Sequence, residues 1–376
     1  MKILLIGPAY PLRGGMAQFF SLLFGALNKA GHDTVFHRFI RQYPTFLFPG
    51  KTQKDESGTP VKVESLPYFN PLNPFNWPLA AVRIARERPD LVILNWWIPF
   101  FGPSYAATLW LASRLCKTRV IYMVHNAIPH EKRPGDMIFT RLAFGVADGF
   151  IVMSEAVKDD LLKLKPGAQC MYNPLPLFDL FGEPHDKETA KRALGVSGHV
   201  ILFFGLVRAY KGLMVLLDAM PEILGRRDLT LLVAGEFYED KQEYIDKIGA
   251  LGIAGSVRVL DRFIPNEEVG NYFSAADLLV LPYRSATQSA ITQIAFVFGT
   301  PVVASRVGGL PEVVKDNETG YLVPPDDPHA LADAVLRFFE EGKTDTFRRN
   351  MEAGRKRFSW EGMVESITKL YSQLPR

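Results

Sequence analysis

Residues 91–113 read LVILNWWIPFFGPSYAATLWLAS, an uncharged stretch of bilayer-spanning length. One reading is a single apolar helix crossing a membrane. The other is a strand, a loop and a helix. Asn95, Pro99, Gly102 and Pro103 cluster where a strand would become a loop, and buried parallel strands are themselves continuous apolar runs. The stretch is therefore read as strand–loop–helix, the unit of an α/β fold.

Moving outward, the same alternation recurs. Lys2–Ile6, Thr34–His37, Leu91–Leu94, Val120–Val124 and Gly149–Met153 read as strands, and Met16–Lys29, Pro78–Glu87, Ser104–Leu115 and Ile138–Val146 carry helical spacing. Met1–Ile6 begins like a signal peptide, but its apolar run stops at Gly7-Pro8 with no small-residue cleavage site after it, so a first strand fits better. Residues 42–76 are rich in Pro, Phe and Asn and predict an irregular insertion. Residues 166–198, with prolines, acidic residues and a helical fragment, predict a linker.

The alternation then restarts. Val200–Phe204, Thr230–Ala234, Val257–Leu260, Leu278–Leu281 and Val302–Ala304 read as strands. Helices fit at 212–224, 241–251, 266–275, 289–298, 330–340, 346–356 and 360–373. Two βαβ series predict two doubly wound, Rossmann-like domains, with ligands beyond the carboxyl ends of the strands and substrate in a cleft between the domains.

Composition narrows the classes. The 376 residues carry 43 Lys+Arg against 40 Asp+Glu, a net charge of +3, which argues against a dedicated nucleic-acid binder. With 48% hydrophobic residues the chain has material for real cores. Cys116 and Cys170 are too few for a disulfide framework or a Cys-based zinc site, and a reducing, cytoplasmic setting fits.

Four strand-end loops could hold a ligand. Gly14-Gly15 opens a helix, where free N–H groups attract anions, though the spacing is neither a dinucleotide fingerprint nor a P-loop, and a plain turn reads the same. Gly205-Leu206-Val207-Arg208-Ala209-Tyr210-Lys211-Gly212 sets two cations three residues apart, suited to a diphosphate or else solvated. His125-Asn126 follows a buried strand, with His130 and Glu131 nearby; each has a structural reading beside the functional one. Residues 282–293 start a helix whose amides at Ser289, Ala290 and Ile291 would face an anion; Ser285, Thr287 or Ser289 could equally cap it.

Taken together, these pieces resemble the retaining, nucleotide-sugar-dependent glycosyltransferases of family four, with the GT-B fold. The resemblance rests on Gly14-Gly15, His125, Asn173-Pro174, Gly205…Lys211-Gly212 and Ala276-Asp277. It continues through Gly299-Thr300-Pro301-Val302-Val303-Ala304-Ser305, Gly308-Gly309-Leu310-Pro311-Glu312, Thr319–Val323 and a last helix opening Phe358-Ser359-Trp360. It implies an acceptor-binding domain at 1–180, a nucleotide-sugar-binding domain at 181–359, and a terminal helix, 360–373, returning to the first. It also implies that His125, Arg208 and Lys211 serve catalysis. Gly14, Gly15, Gly205, Ser289, Ala290 and Ile291 would lie on the donor, with Arg262 and Ile264 by its base. Front-face attack, with no metal and no cofactor beyond a UDP- or GDP-type sugar substrate, is the implied chemistry.

Two departures from the family pattern stand out. Its paired glutamates fall here on Ala286 and Ile294, with Gln288 and Gln293 the nearest polar substitutes, and its usual arginine after the glycine is Leu206, with Arg208 a replacement. An active hexosyltransferase is the leading expectation, and an inactive nucleotide- or sugar-binding partner subunit the alternative. For the acceptor, a glycan or lipid-linked glycan, Trp96, Trp97 and Asn126 are candidates. The aromatics of the insertion (Phe46, Phe48, Tyr68, Phe69, Phe75, Trp77) are either buried core or, with Arg38, Arg41, Lys51 and Lys54, an acceptor groove or a peripheral membrane contact at the inner face.

Overall fold

The computed structural model describes residues 1–44, 48, 50–129 and 133–375. Phe46, His130 and Glu131 lie outside the described residues. The chain divides into two units. The first holds Met1–Glu56, Pro60–Pro176 and the segment from Phe358 onward; the second holds Ser57–Thr59 and Leu177–Arg357.

In the first unit β1 (Lys2–Gly7), α1 (Gly15–Lys29), β2 (Asp33–Phe39), β3 (Leu66–Phe69), α2 (Asn76–Glu87) and β4 (Leu91–Trp96) come first. Then follow α3 (Gly102–Leu115), β5 (Arg119–Val124), α4 (Asp136–Gly145), β6 (Gly149–Val152), α5 (Glu155–Leu164) and β7 (Cys170–Tyr172). The seven strands are all parallel, in the order β3-β2-β1-β4-β5-β6-β7. Every residue of β4 is buried, which explains its unbroken apolar run, and no described helix is long and apolar enough to cross a membrane.

The second unit runs through α6 (Lys187–Leu194), β8 (His199–Phe204), α7 (Leu213–Arg226), β9 (Leu229–Ala234), α8 (Lys241–Ala250), β10 (Val257–Leu260) and α9 (Asn266–Ala275). It continues with β11 (Leu278–Leu281), α10 (Ala290–Phe298), β12 (Val302–Ser305), α11 (Leu310–Val313), β13 (Gly320–Val323), α12 (Pro328–Glu341) and α13 (Thr344–Gly354). Its six parallel strands take the order β10-β9-β8-β11-β12-β13. The last helix, α14 (Trp360–Gln373), belongs to the first unit: Trp360 packs on Phe19, and Ser366 donates to Asn173 at 3.0 Å.

Both sheets reverse strand order once, between β1 and β4 and between β8 and β11. Loops diverge at such a point and leave a crevice at the carboxyl edge. A second shared device sits at the opposite edge. Asp90, Asp148 and Asp277, each just before a strand, accept the N–H of Lys2, Val120 and Val200 on the neighbouring strand at 2.7–2.8 Å. These bonds fix register without using a ladder group.

Several expectations need correcting. The irregular insertion contains β3, whose Leu66-Pro67-Tyr68-Phe69 pairs with β2 at the sheet edge, the one place a strand tolerates proline. The linker contains β7, three residues long, and α6, packed on α9. These pieces, with α5 and β13, are too short or too polar to carry a periodic signal.

Candidate functional site

In the second unit, the loops after β8, β9, β11 and β12 come together because glycines let backbone touch backbone. Gly205 has φ +97°, and a Cβ at Gly235 would fall 2.1 Å from its carbonyl oxygen. A Cβ at Gly212 would fall 1.9 Å from the oxygen of Pro282, and one at Gly308 1.5 Å from that of Ala286. Any side chain at these positions would push the loops apart.

Lys211 stands in the middle of them, in a short 3₁₀ turn at Ala209–Lys211. A Cβ on Gly205 would meet its Nζ at 3.2 Å and the Cδ1 of Ile291 at 3.4 Å, so Gly205, Lys211 and the first turn of α10 adjoin one another. Lys211 makes no ion pair among the described residues. Its ammonium lies 5.7 Å from the ring centre of Tyr283. Burial, then the charge of Arg208, lowers its pKa to about 8. A desolvated cation without a carboxylate gains most from an arriving anion. Arg208 extends over the ring of Tyr238 at 5.2 Å.

Two helices begin here without a side-chain cap: α7 after Gly212 and α10 after Ser289. Ser289 occupies the capping position without capping, and its carbonyl accepts the hydroxyl of Thr292 at 2.6 Å. The first-turn amides of α10, from Ala290 and Ile291, are thus left for another acceptor. Gln288 is half-buried beside them.

Gln293 lies within α10. It has no exposed surface, and neither amide atom finds a partner. One helical step from Ile294 turns a side chain by about 100°, so Gln293 leaves the helix in a different direction from the residue at 294. Ile294 is itself buried in the core. Arg262 forks onto Glu268, with Nη1 donating at 3.0 Å, and reaches the hydroxyl of Tyr272 at 3.4 Å; Ile264 is buried nearby in sequence. Tyr283 is the residue sequence reasoning passed over. Its signal was its place, directly after Pro282 at the end of the strand flanking the order reversal.

In the first unit, Gly14 has φ +106° and starts α1 uncapped, whereas Gly15 is not sterically required: a Cβ there would meet open space. His125 follows β5, its N–H donating to Trp96 at 2.8 Å and its ring set edge-on to Phe19 at 5.0 Å. Burial lowers its pKa to about 3, so the imidazole is neutral. Asn95, at the end of β4, donates to the sulfur of Met16 in the first turn of α1, while its own buried oxygen has no partner. Trp96 is not an acceptor surface: at 1% exposure it is walled in by Tyr105, Tyr122 and Phe144. A strand position alternates its neighbours between faces, and this one points into a covered layer. Trp97 is half-buried and donates to the Tyr43 hydroxyl at 2.9 Å, while Asn126 donates to the carbonyl of Trp97.

Residues 13–172 match the family described as Glycosyltransferase Family 4, and residues 198–341 the one described as Glycosyl transferases group 1. D-inositol 3-phosphate glycosyltransferase of Corynebacterium diphtheriae is 33% identical over 242 residues, covering 60% of this chain and 56% of that relative. The namesake from a Nocardioides species is 33% identical over 209 residues, covering 50% and 45%. The chain thus matches about half the length of these curated relatives. Among solved structures, Anabaena Alr3699/HepE in complex with UDP-glucose superposes with a TM-score of 0.76 at 21% identity over 100% of both chains. Sucrose-phosphate synthase from Thermosynechococcus elongatus gives 0.73 at 21% over 99% of each. Each of its two parallel-sheet units is thus matched by a glycosyltransferase family, on a fold shared end to end with these solved structures.

Proposed function

We propose that this chain moves a hexose from a nucleotide sugar, of the UDP type, to a glycan or lipid-linked glycan acceptor, retaining anomeric configuration and using no metal. The observation that carries the reading is Lys211: a half-buried, desolvated cation without a carboxylate, set by Gly205 against the uncapped start of α10. Such a pairing of point charge and helix amides stabilises a diphosphate most as negative charge grows on it during bond cleavage. UDP and UDP-glucose in the Anabaena complexes favour uridine over guanosine.

In the reaction, the bond between sugar C1 and the β-phosphate oxygen breaks, and the acceptor oxygen bonds C1 on the same face. The acceptor proton passes to the departing phosphate oxygen. Lys211, with Arg208 and the amides of Ala290 and Ile291, holds the charge that accumulates there. The neutral His125 of the first unit can offer a hydrogen bond but not a charge. With no carboxylate at 286 or 294, ribose and sugar contacts fall to neutral groups, a weakening of about 1–2 kcal/mol relative to a charge-assisted bond. The binding-only alternative is not favoured, since family and curated relatives alike are named for transfer.

The test is donor turnover: purified chain with UDP-, GDP- and ADP-hexoses and a crude glycolipid or oligosaccharide acceptor fraction, following nucleotide release and labelled sugar in product. Acceptor-dependent release of UDP with an α-linked product from an α-linked donor supports the reading. Tight nucleotide binding without release under any acceptor would return the binding-only alternative.

A further inference from the structure

Among the described residues, large apolar side chains that are exposed lie almost all on the first unit, and six gather on one helical layer. Helix α3 packs between α2 and α4, so the three present one outer surface. On it stand Phe75, Leu79 and Val82 at the start and along α2, Trp110 on α3, and Ile138 and Leu142 on α4. Phe75 is 86% exposed, Ile138 61% and Trp110 54%. Positions 75, 79, 82 and 86 fall on one side of a helix, as do 138, 141, 142 and 145. The inner sides of the same helices, at Ala80, Ile84, Tyr105, Leu109, Ala112 and Phe144, fill the core, so folding has no further use for the outer stripe.

The exposed charges of the three helices have one sign. Arg86, Arg114 and Arg141 are exposed on this surface, with Lys117 just beyond the end of α3, and none forms an ion pair among the described residues. No acidic residue of the three helices is exposed: Glu87 is tied to Lys2 at 2.9 Å, and Asp136 accepts the N–H of Arg133 at 2.7 Å. Arg114 lies over the Trp110 indole at 5.0 Å, pairing a cation with the ring that best tolerates a water–lipid boundary.

We propose that the outer face of α2, α3 and α4 docks on an anionic membrane surface, with the apolar stripe in the headgroup–acyl boundary and the four cations on lipid phosphates. A two-fold contact between copies would set one cationic face against another, so the charge pattern selects lipid over a second copy. The inference uses no residue of the donor site and stands or falls apart from the transfer reading.

Co-sedimentation of the full chain with vesicles tests it. Phosphatidylcholine vesicles containing phosphatidylglycerol should retain the protein, while pure phosphatidylcholine or high salt should weaken retention by about tenfold or more. Leu79→Glu with Ile138→Glu should weaken it by a similar factor while leaving the melting temperature and UDP affinity unchanged, because both side chains are exposed. Trp110 emission should shift to the blue on anionic vesicles, and the shift should vanish in Trp110→Phe. No retention on anionic vesicles, retention unaffected by the double substitution, or a solution dimer that this substitution dissolves would each overturn the proposal.

Discussion

Lys211 keeps its ammonium nitrogen 3.2 Å from the point where a side chain on Gly205 would begin. The glycine therefore sets both the backbone turn after β8 and the space the cation occupies. Gly205→Ala should cost about 1–3 kcal/mol in stability, since φ is +97° there. It should also displace Lys211 and lower UDP affinity by about tenfold or more. Denaturant unfolding and titration of the same variant check the two parts; unchanged affinity would mean the cation is not held by this contact.

Lys211 also predicts a pH dependence with a definite sign. Its pKa in the free protein is about 8, and a bound diphosphate would raise it. Binding then takes up a proton above pH 8, so affinity falls as pH rises, by at most about tenfold per unit. Lys211→Arg stays charged and should flatten the profile between pH 8 and the bound-state value. Identical profiles for the two proteins would assign the dependence elsewhere.

Much of this was legible in the sequence, and the boundary is physical. Helices α9 and α14 run over the predicted residues because each has a clear amphipathic period with a definite stop. Strand-end glycines were legible as loops, but not that Gly212, Gly235 and Gly308 press on carbonyls, which depends on neighbours far along the chain. Trp96 was misread because aromatic character at a strand end does not say which face it takes. The edge strands β3 and β7 owe their existence to an adjacent strand rather than to their own few residues.

Two buried histidines make the first unit acid-sensitive. Burial lowers His125 to about 3 and His37 to about 4, against 6.5 when exposed. The unfolded chain therefore binds more protons below pH 6.5, and stability is lost as pH falls from there through the folded values. At pH 5 each histidine should cost about 2 kcal/mol relative to pH 7. Unfolding midpoints for the chain and for His37→Gln should converge as pH falls; parallel curves would contradict this assignment.

Asp277 bridges the Val200 N–H at 2.8 Å and the Lys187 ammonium at 2.5 Å. Asp277→Ala leaves an edge donor and a half-buried cation without their partner. About 2 kcal/mol of stability should be lost, and Asp277→Asn should recover part of it through the backbone bond alone. Equal losses in both would place the effect on the ion pair instead.

The central claim is that the second unit binds a nucleoside diphosphate through Lys211. Calorimetric titration of the whole chain with UDP, GDP and ADP, repeated on Lys211→Ala, tests it most directly. The account predicts that UDP binds best and that its affinity falls by about tenfold to a hundredfold in the variant, with the fold intact by circular dichroism. No binding of any of the three, or binding that the substitution leaves unchanged, would contradict it.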